Sequence, residues 1–70
     1  MIVYSIHAYG NYAGGMAIVA AENEKRAIDI IIKNDNSIFY IEWNKPEKML
    51  ILPVQYDGKS GVLDYYVTGE

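Results

Sequence analysis

The chain reads as an α+β domain of two layers: an antiparallel sheet of four to five strands with a single helix on one face, in the order β-β-α-β-β-β. Three observations carry this. Residues 22–34 (ENEKRAIDIIIKN) hold the one convincing helical pattern. Segments rich in β-branched and aromatic residues flank it on both sides. Clusters of Gly, Asn, Asp and Pro separate those segments.

Taken in order, Ile2–Tyr9 (IVYSIHAY) alternates as a strand. Ile2, Tyr4, Ile6 and Ala8 form the more apolar face, expected to meet the helix; Val3, Ser5, His7 and Tyr9 form the other. Residues 10–15 (GNYAGG) tolerate positive φ and are expected to be a hairpin loop. Residues 16–21 (MAIVAA) are small and apolar on both faces, which suits a central strand. The helix follows almost without a connection. Asn23 is its expected N-cap, Glu22 and Glu24 lie near the positive end of the dipole, and Lys33 lies near the negative end. Ala27, Ile28, Ile31 and Ile32 make the expected buried stripe, with Ile30 at its edge. Three consecutive isoleucines lower helix propensity, so tertiary packing has to hold this helix. Asn34-Asp35-Asn36-Ser37 compete for its backbone hydrogen bonds and end it.

Residues 37–43 (SIFYIEW) are expected to be the third strand, with Phe39, Ile41 and Trp43 turned toward the helix. Residues 44–48 form a polar turn around Pro46. Residues 49–56 are extended, but Pro53 restricts the strand to 49–52 or marks an edge or bulge. A turn at 57–61 leads into the last strand, residues 62–68 (VLDYYVT). One helix of this length covers one face of three or four strands. Nothing else in the order covers the other face, and that face carries aromatics.

Seventy residues support one domain, 1–70, with a modest core. There are no cysteines, so neither disulfides nor thiolate-bound zinc can reinforce it. An apolar content of 51% excludes a disordered chain. A net charge of −3 and a pI near 4.9 argue against binding a nucleic-acid backbone. Met1-Ile2-Val3-Tyr4 lacks the basic start of a signal peptide, and no apolar run has the length of a membrane span, so cytoplasmic residence is expected.

Motifs with chemistry are few. The glycine loop at 10–15 leads into a strand rather than a helix N-terminus, so it is no phosphate cradle. Gly58-Lys59-Ser60 matches the end of a P-loop, but Pro53 stands where the first glycine belongs and no helix follows. His7 is the only histidine. Ser5 shares its strand face, but no third member of a catalytic set is identifiable. One histidine without cysteine makes no metal site, and Glu42, Asp57 and Asp64 read as solubilising surface. No catalytic, metal-binding or cofactor-binding residue is assigned.

Tyrosine is the compositional excess, with seven in the chain beside Phe39 and Trp43. Tyrosine offers large contact area at low entropic cost, and Tyr12, Tyr40, Tyr56 and Tyr66 are the candidate interface residues. Aromatics on a sheet also stack on single-stranded nucleic acid. That mode requires basic residues among the rings, whereas Lys45, Lys48 and Lys59 fall in turns.

Tyr9-Gly10, then Gly14-Gly15-Met16-Ala17-Ile18-Val19-Ala20-Ala21, then Asn23-Glu24 and Ala27 resemble the first half of small hypothetical α+β proteins of bacteria and their prophages. Those proteins place a glycine hairpin before a polar helix entry. The resemblance spans about half the chain; it implies the strand–strand–helix opening and transfers no activity, site or cofactor.

The expected function is non-enzymatic. The chain is expected to be a protein-interaction module that self-associates, as a dimer, through the uncovered sheet face or an edge strand. The alternatives are an inhibitor or adaptor of a larger host protein and an aromatic-mediated nucleic-acid binder.

Overall fold

The computed structural model describes residues 1–69. Among them the chain forms β1 (Ile2–Tyr9), β2 (Ala13–Ala21), α1 (Glu24–Asn34), β3 (Lys48–Leu52) and β4 (Gly61–Gly69). The strands make one antiparallel sheet in the order β3-β1-β2-β4, and α1 lies across one face. The β1–β2 hairpin is central. Its side chains on both faces are small or apolar enough for strands flanked on each side.

Period-two alternation sorts the sheet. Tyr4, Ile6 and Ala8 of β1 and Ala17, Val19 and Ala21 of β2 form the core with Ala27 and Ile31 of α1. Asn23 caps the helix as expected, its Oδ1 accepting from the Arg26 amide at 2.9 Å. The buried stripe differs from the expected one: Ile30 packs on the core and Ile32 is exposed. Ala27, Ile30 and Ile31 stand at i, i+3, i+4 and share one line of the helix surface, which Ile32 leaves.

The expected third strand over 37–43 does not form. Residues 35–47 instead make an arm of turns and irregular backbone across the helix side of the sheet, near the β1–β2 hairpin loop. Tyr40 adopts φ +52°, a left-handed conformation that interrupts any extended run. The outer side of β1 is occupied by β3 instead. The alternation survives without the ladder: Phe39, Ile41 and Trp43 pack inward, while Ile38, Tyr40 and Glu42 are exposed. The Glu42 amide ties the arm to β1 by donating to the Tyr9 carbonyl at 2.9 Å.

The hairpin loop is shorter than expected. It spans 10–12, and Gly14 and Gly15 pair in the ladder with Tyr9 and Ala8. Neither glycine has positive φ. What Gly15 supplies is space: a Cβ there would lie 2.8 Å from Trp43 Cη2 and 3.3 Å from Ile41 Cγ2. Gly10 likewise leaves room for the backbone of the arm, since a Cβ would meet the carbonyl oxygens of Phe39 and Tyr40. Glycine at 15 makes no turn; it seats an indole.

β3 ends at Leu52, just before Pro53, as a missing backbone donor requires. Residues 53–60 then connect opposite edges of the sheet and pass the start of β1, where the Met1 ammonium donates to the Tyr56 carbonyl at 3.2 Å. Val3 and Ala20, directly opposed at that end on the face away from α1, are buried. The crossing therefore covers one end of that face and leaves the rest open.

Candidate interaction surface

The strand register maps the open face in rows. Tyr9, Gly14 and Thr68 form the row nearest the hairpin loop. Lys48, His7, Met16 and Tyr66 form the second, and Leu50, Ser5, Ile18 and Asp64 form the third. Tyr9, Met16, Leu50 and Tyr66 are exposed large side chains. At the hairpin end Tyr9 borders a shallow depression of about 400 Å³, lined also by Asn11, Tyr12, Gly14 and Thr68 among others. A second, of about 280 Å³, shares Tyr9, Gly14 and Thr68 with it and extends the groove to His7, Met16 and Tyr66.

Two of the four candidate tyrosines meet in this groove. Tyr12, 75% exposed, stands at its hairpin end and Tyr66, 65% exposed, along its side. Tyr40 and Tyr56 lie elsewhere. Tyr40 is 82% exposed on the arm, with its backbone against Gly10. Tyr56 is half-buried in the crossing at the far end of the sheet, its ring filling the space that a side chain at Gly58 would need. Tyr9 and Met16 belong to the groove although neither was a candidate. The alternation that placed Tyr9 with His7 was signal enough to find it.

Ser5 and His7 are brought together, with Ser5 Oγ 3.4 Å from His7 Nε2. Ser5 is buried, however, and no acidic side chain holds the imidazole among the described residues. A serine nucleophile needs both access to substrate and an oriented base. Glu42, Asp57 and Asp64 stand on the arm, the crossing and β4, and no cluster of three His, Cys, Asp or Glu side chains with metal-binding geometry exists among the described residues.

The most organised polar group is structural in position and was missed as a site. Asp35 ends the helix, its amide donating to the Ile31 carbonyl at 2.8 Å. Its Oδ2 accepts from the Trp43 indole at 2.7 Å, and its Oδ1 accepts from the Ser37 amide at 2.9 Å and the Tyr65 hydroxyl at 3.1 Å. One carboxylate thus joins α1, the arm and β4. Burial pushes its pKa up, but the bonds from Trp43, the Ser37 amide and Tyr65 outweigh that, and the carboxyl lies below its ordinary value. The Ser37 hydroxyl acts on this charge only as a nearby dipole, because it is buried without a hydrogen-bond partner. Partial burial and then the Asp35 carboxylate raise the Tyr65 phenol. Through these bonds Asp35 organises the covered side of the sheet.

No helix of the described residues is long and apolar enough to cross a membrane. Comparison with known proteins yields no matching family, no similar curated protein and no similar solved structure.

Proposed function

We propose that this chain is a non-enzymatic protein-interaction module that self-associates through the sheet face opposite α1. The observation that carries this reading is the contiguous groove of Tyr9, Tyr12, Met16 and Tyr66, exposed on a face that the chain itself covers only at one end. Aromatic and methionine side chains are enriched at the desolvated centres of interfaces, and a grouped apolar surface on a small domain marks a contact site. The burial of Ser5 and the lack of a partner carboxylate for His7 weigh against nucleophilic catalysis on this face.

The test is Tyr66→Asp, followed by light scattering. Tyr66 is exposed, so the variant keeps the far-UV spectrum of the parent. It is expected to shift the solution mass from dimer toward monomer at equal concentration. A variant that folds and keeps the parent's oligomeric mass removes this face from the account.

A further inference from the structure

The two edges of the sheet are built differently. β3 is five residues long, begins with Lys48 and is followed by Pro53, three features that discourage the addition of another strand. β4 runs nine residues and contains neither proline nor lysine. Val62, Tyr65, Tyr66, Val67 and Thr68 all favour extended backbone. An edge of this length and composition is a template for pairing with another chain. Asp64 is the one charge within it.

The register shows which backbone groups that edge presents. Gly10 donates to the Ala13 carbonyl at 2.9 Å, so the β1–β2 ladder has a hydrogen-bonded pair at its hairpin end. Antiparallel alternation then turns the peptide groups of Ala13, Gly15 and Ala17 toward β1, and those of Gly14, Met16 and Ile18 toward β4. The partners of the second set, Thr68, Tyr66 and Asp64, point inward to β2. Tyr65 and Val67, between them, point their N–H and C=O groups out of the sheet. Tyr65 is the fifth of the nine residues, the middle of the edge. Its outward amide is occupied, donating to Asp64 Oδ1 at 2.9 Å. The register shift opposite Ile18 and Val19 adds an irregularity just before it, and a bulge there bends and twists the strand.

We infer that Asp64 guards the outer edge of β4: its carboxylate occupies the central outward amide and, with the bulge beside it, keeps β4 from pairing with β4 of a second copy. Antiparallel pairing about Tyr65 would set Gly61 against Gly69 and engage the whole strand. It would also displace the carboxylate twice, once on each copy, and leave each without the amide it binds. This inference goes beyond association through the open face and does not rest on it, because edge and face are separate surfaces.

The experiment compares Asp64→Ala and Asp64→Gln with Asp64→Asn on the full chain, by light scattering at equal concentration and by amide hydrogen exchange. All three lose the same charge, so a difference among them is not an effect of net charge. Alanine has no acceptor, and glutamine carries its oxygen one methylene farther out. Asparagine keeps an oxygen where aspartate has it. The position is exposed, and circular dichroism checks each fold. The alanine and glutamine variants are expected to reach about twice the parent's mass or more. The outward Val67 amide is expected to exchange about tenfold more slowly in them, because an added strand covers it. Asp64→Asn is expected to keep the parent's mass and exchange. Folded alanine and glutamine variants that keep the parent's mass overturn the inference, as does an asparagine variant that assembles as far as they do. A Val67 amide already protected in the parent also overturns it, because the edge would then be in use. The parent's own mass tests only the open face, so the two readings fail separately.

Discussion

On the helix side of the sheet, Ile6, Ala17 and Val19 are fully buried beneath α1 and the arm, and Gly15 is closed over by Trp43. One residue along the same strands, on the other side, His7 and Met16 border an open groove and Tyr66 projects into solvent. The two faces are built from alternating residues of the same strands, so strand propensity does not distinguish them. What differs is the covering layer. An eleven-residue helix and a thirteen-residue arm cover most of one face, leaving Ile51 of β3 exposed, with Asp35 joining helix, arm and β4. The other receives the 53–60 crossing at one end and nothing beyond it. A chain this short does not bury both faces of a four-stranded sheet, and the face it leaves open presents Tyr9 and Tyr66.

The comparison breaks most readily at Trp43. Trp43→Ala removes a 2%-exposed indole and the bond to Asp35, and is expected to cost about 3–5 kcal/mol, enough to unfold much of a domain this small. Urea denaturation at low protein concentration, where association contributes least, measures it. Asp35→Asn comes next. Loss of the charge from three hydrogen bonds is expected to lower stability by about 2 kcal/mol near neutral pH.

The same residue sets a pH dependence. The folded carboxyl titrates below its unfolded value, so the unfolded chain binds more protons as acid is added. The stabilisation from Asp35 is present above the unfolded pKa of about 4 and is lost as pH falls through the lower folded value. Urea midpoints across the acid range are expected to fall less steeply for Asp35→Asn than for the parent. Tyr65 has the opposite sign: its raised pKa keeps its contribution below about pH 10 and loses it as pH rises through the folded value.

Two adjacent glycines sharpen the contrast between the faces. Gly15→Ala drives a methyl against the locked indole of Trp43 and is expected to cost about 1–3 kcal/mol. At Gly14 the nearest atom to an added Cβ is Tyr9 Cε1 at 3.3 Å, and that ring is exposed and free to turn. Gly14→Ala is therefore expected to stay within about 0.5 kcal/mol of the parent in the same denaturation assay. The smallest effect belongs to the arm. Tyr40→Gly relieves a left-handed residue and is expected to leave stability unchanged or raise it by up to about 1 kcal/mol, because the entropy of glycine offsets part of the relief. Its solution mass should match the parent's, since Tyr40 lies off the open face.

The parts of this fold legible in the sequence are local. Asn23 capping α1, Pro53 ending β3, the alternation of β1 and the centrality of β2 each follow from a few adjacent residues. The arm was not legible as an arm. Its alternation matches a strand, and tyrosine gives no warning of the left-handed turn at Tyr40. Asp35 reads as a helix stop, which it is. Its bond to Tyr65, thirty residues on, exists only once β4 is in place. Glycine at 14 and 15 carries two meanings, turn and close approach, and Trp43 decides between them only in three dimensions. Of the candidate surface, the uncovered face and the place of Tyr66 follow from element count and alternation, and Tyr12 follows from its place in the loop that joins β1 to β2. Tyr40 and Tyr56 stand on the arm and the crossing, outside the ladder, where period two assigns no face.

The most direct measurement is the solution mass of the parent chain by light scattering across a dilution series. The account predicts a dimer that dissociates on dilution, with the open face as its interface. A mass that stays at that of one chain up to the highest concentration would contradict it, leaving the groove of Tyr9, Tyr12, Met16 and Tyr66 without a second copy to cover it.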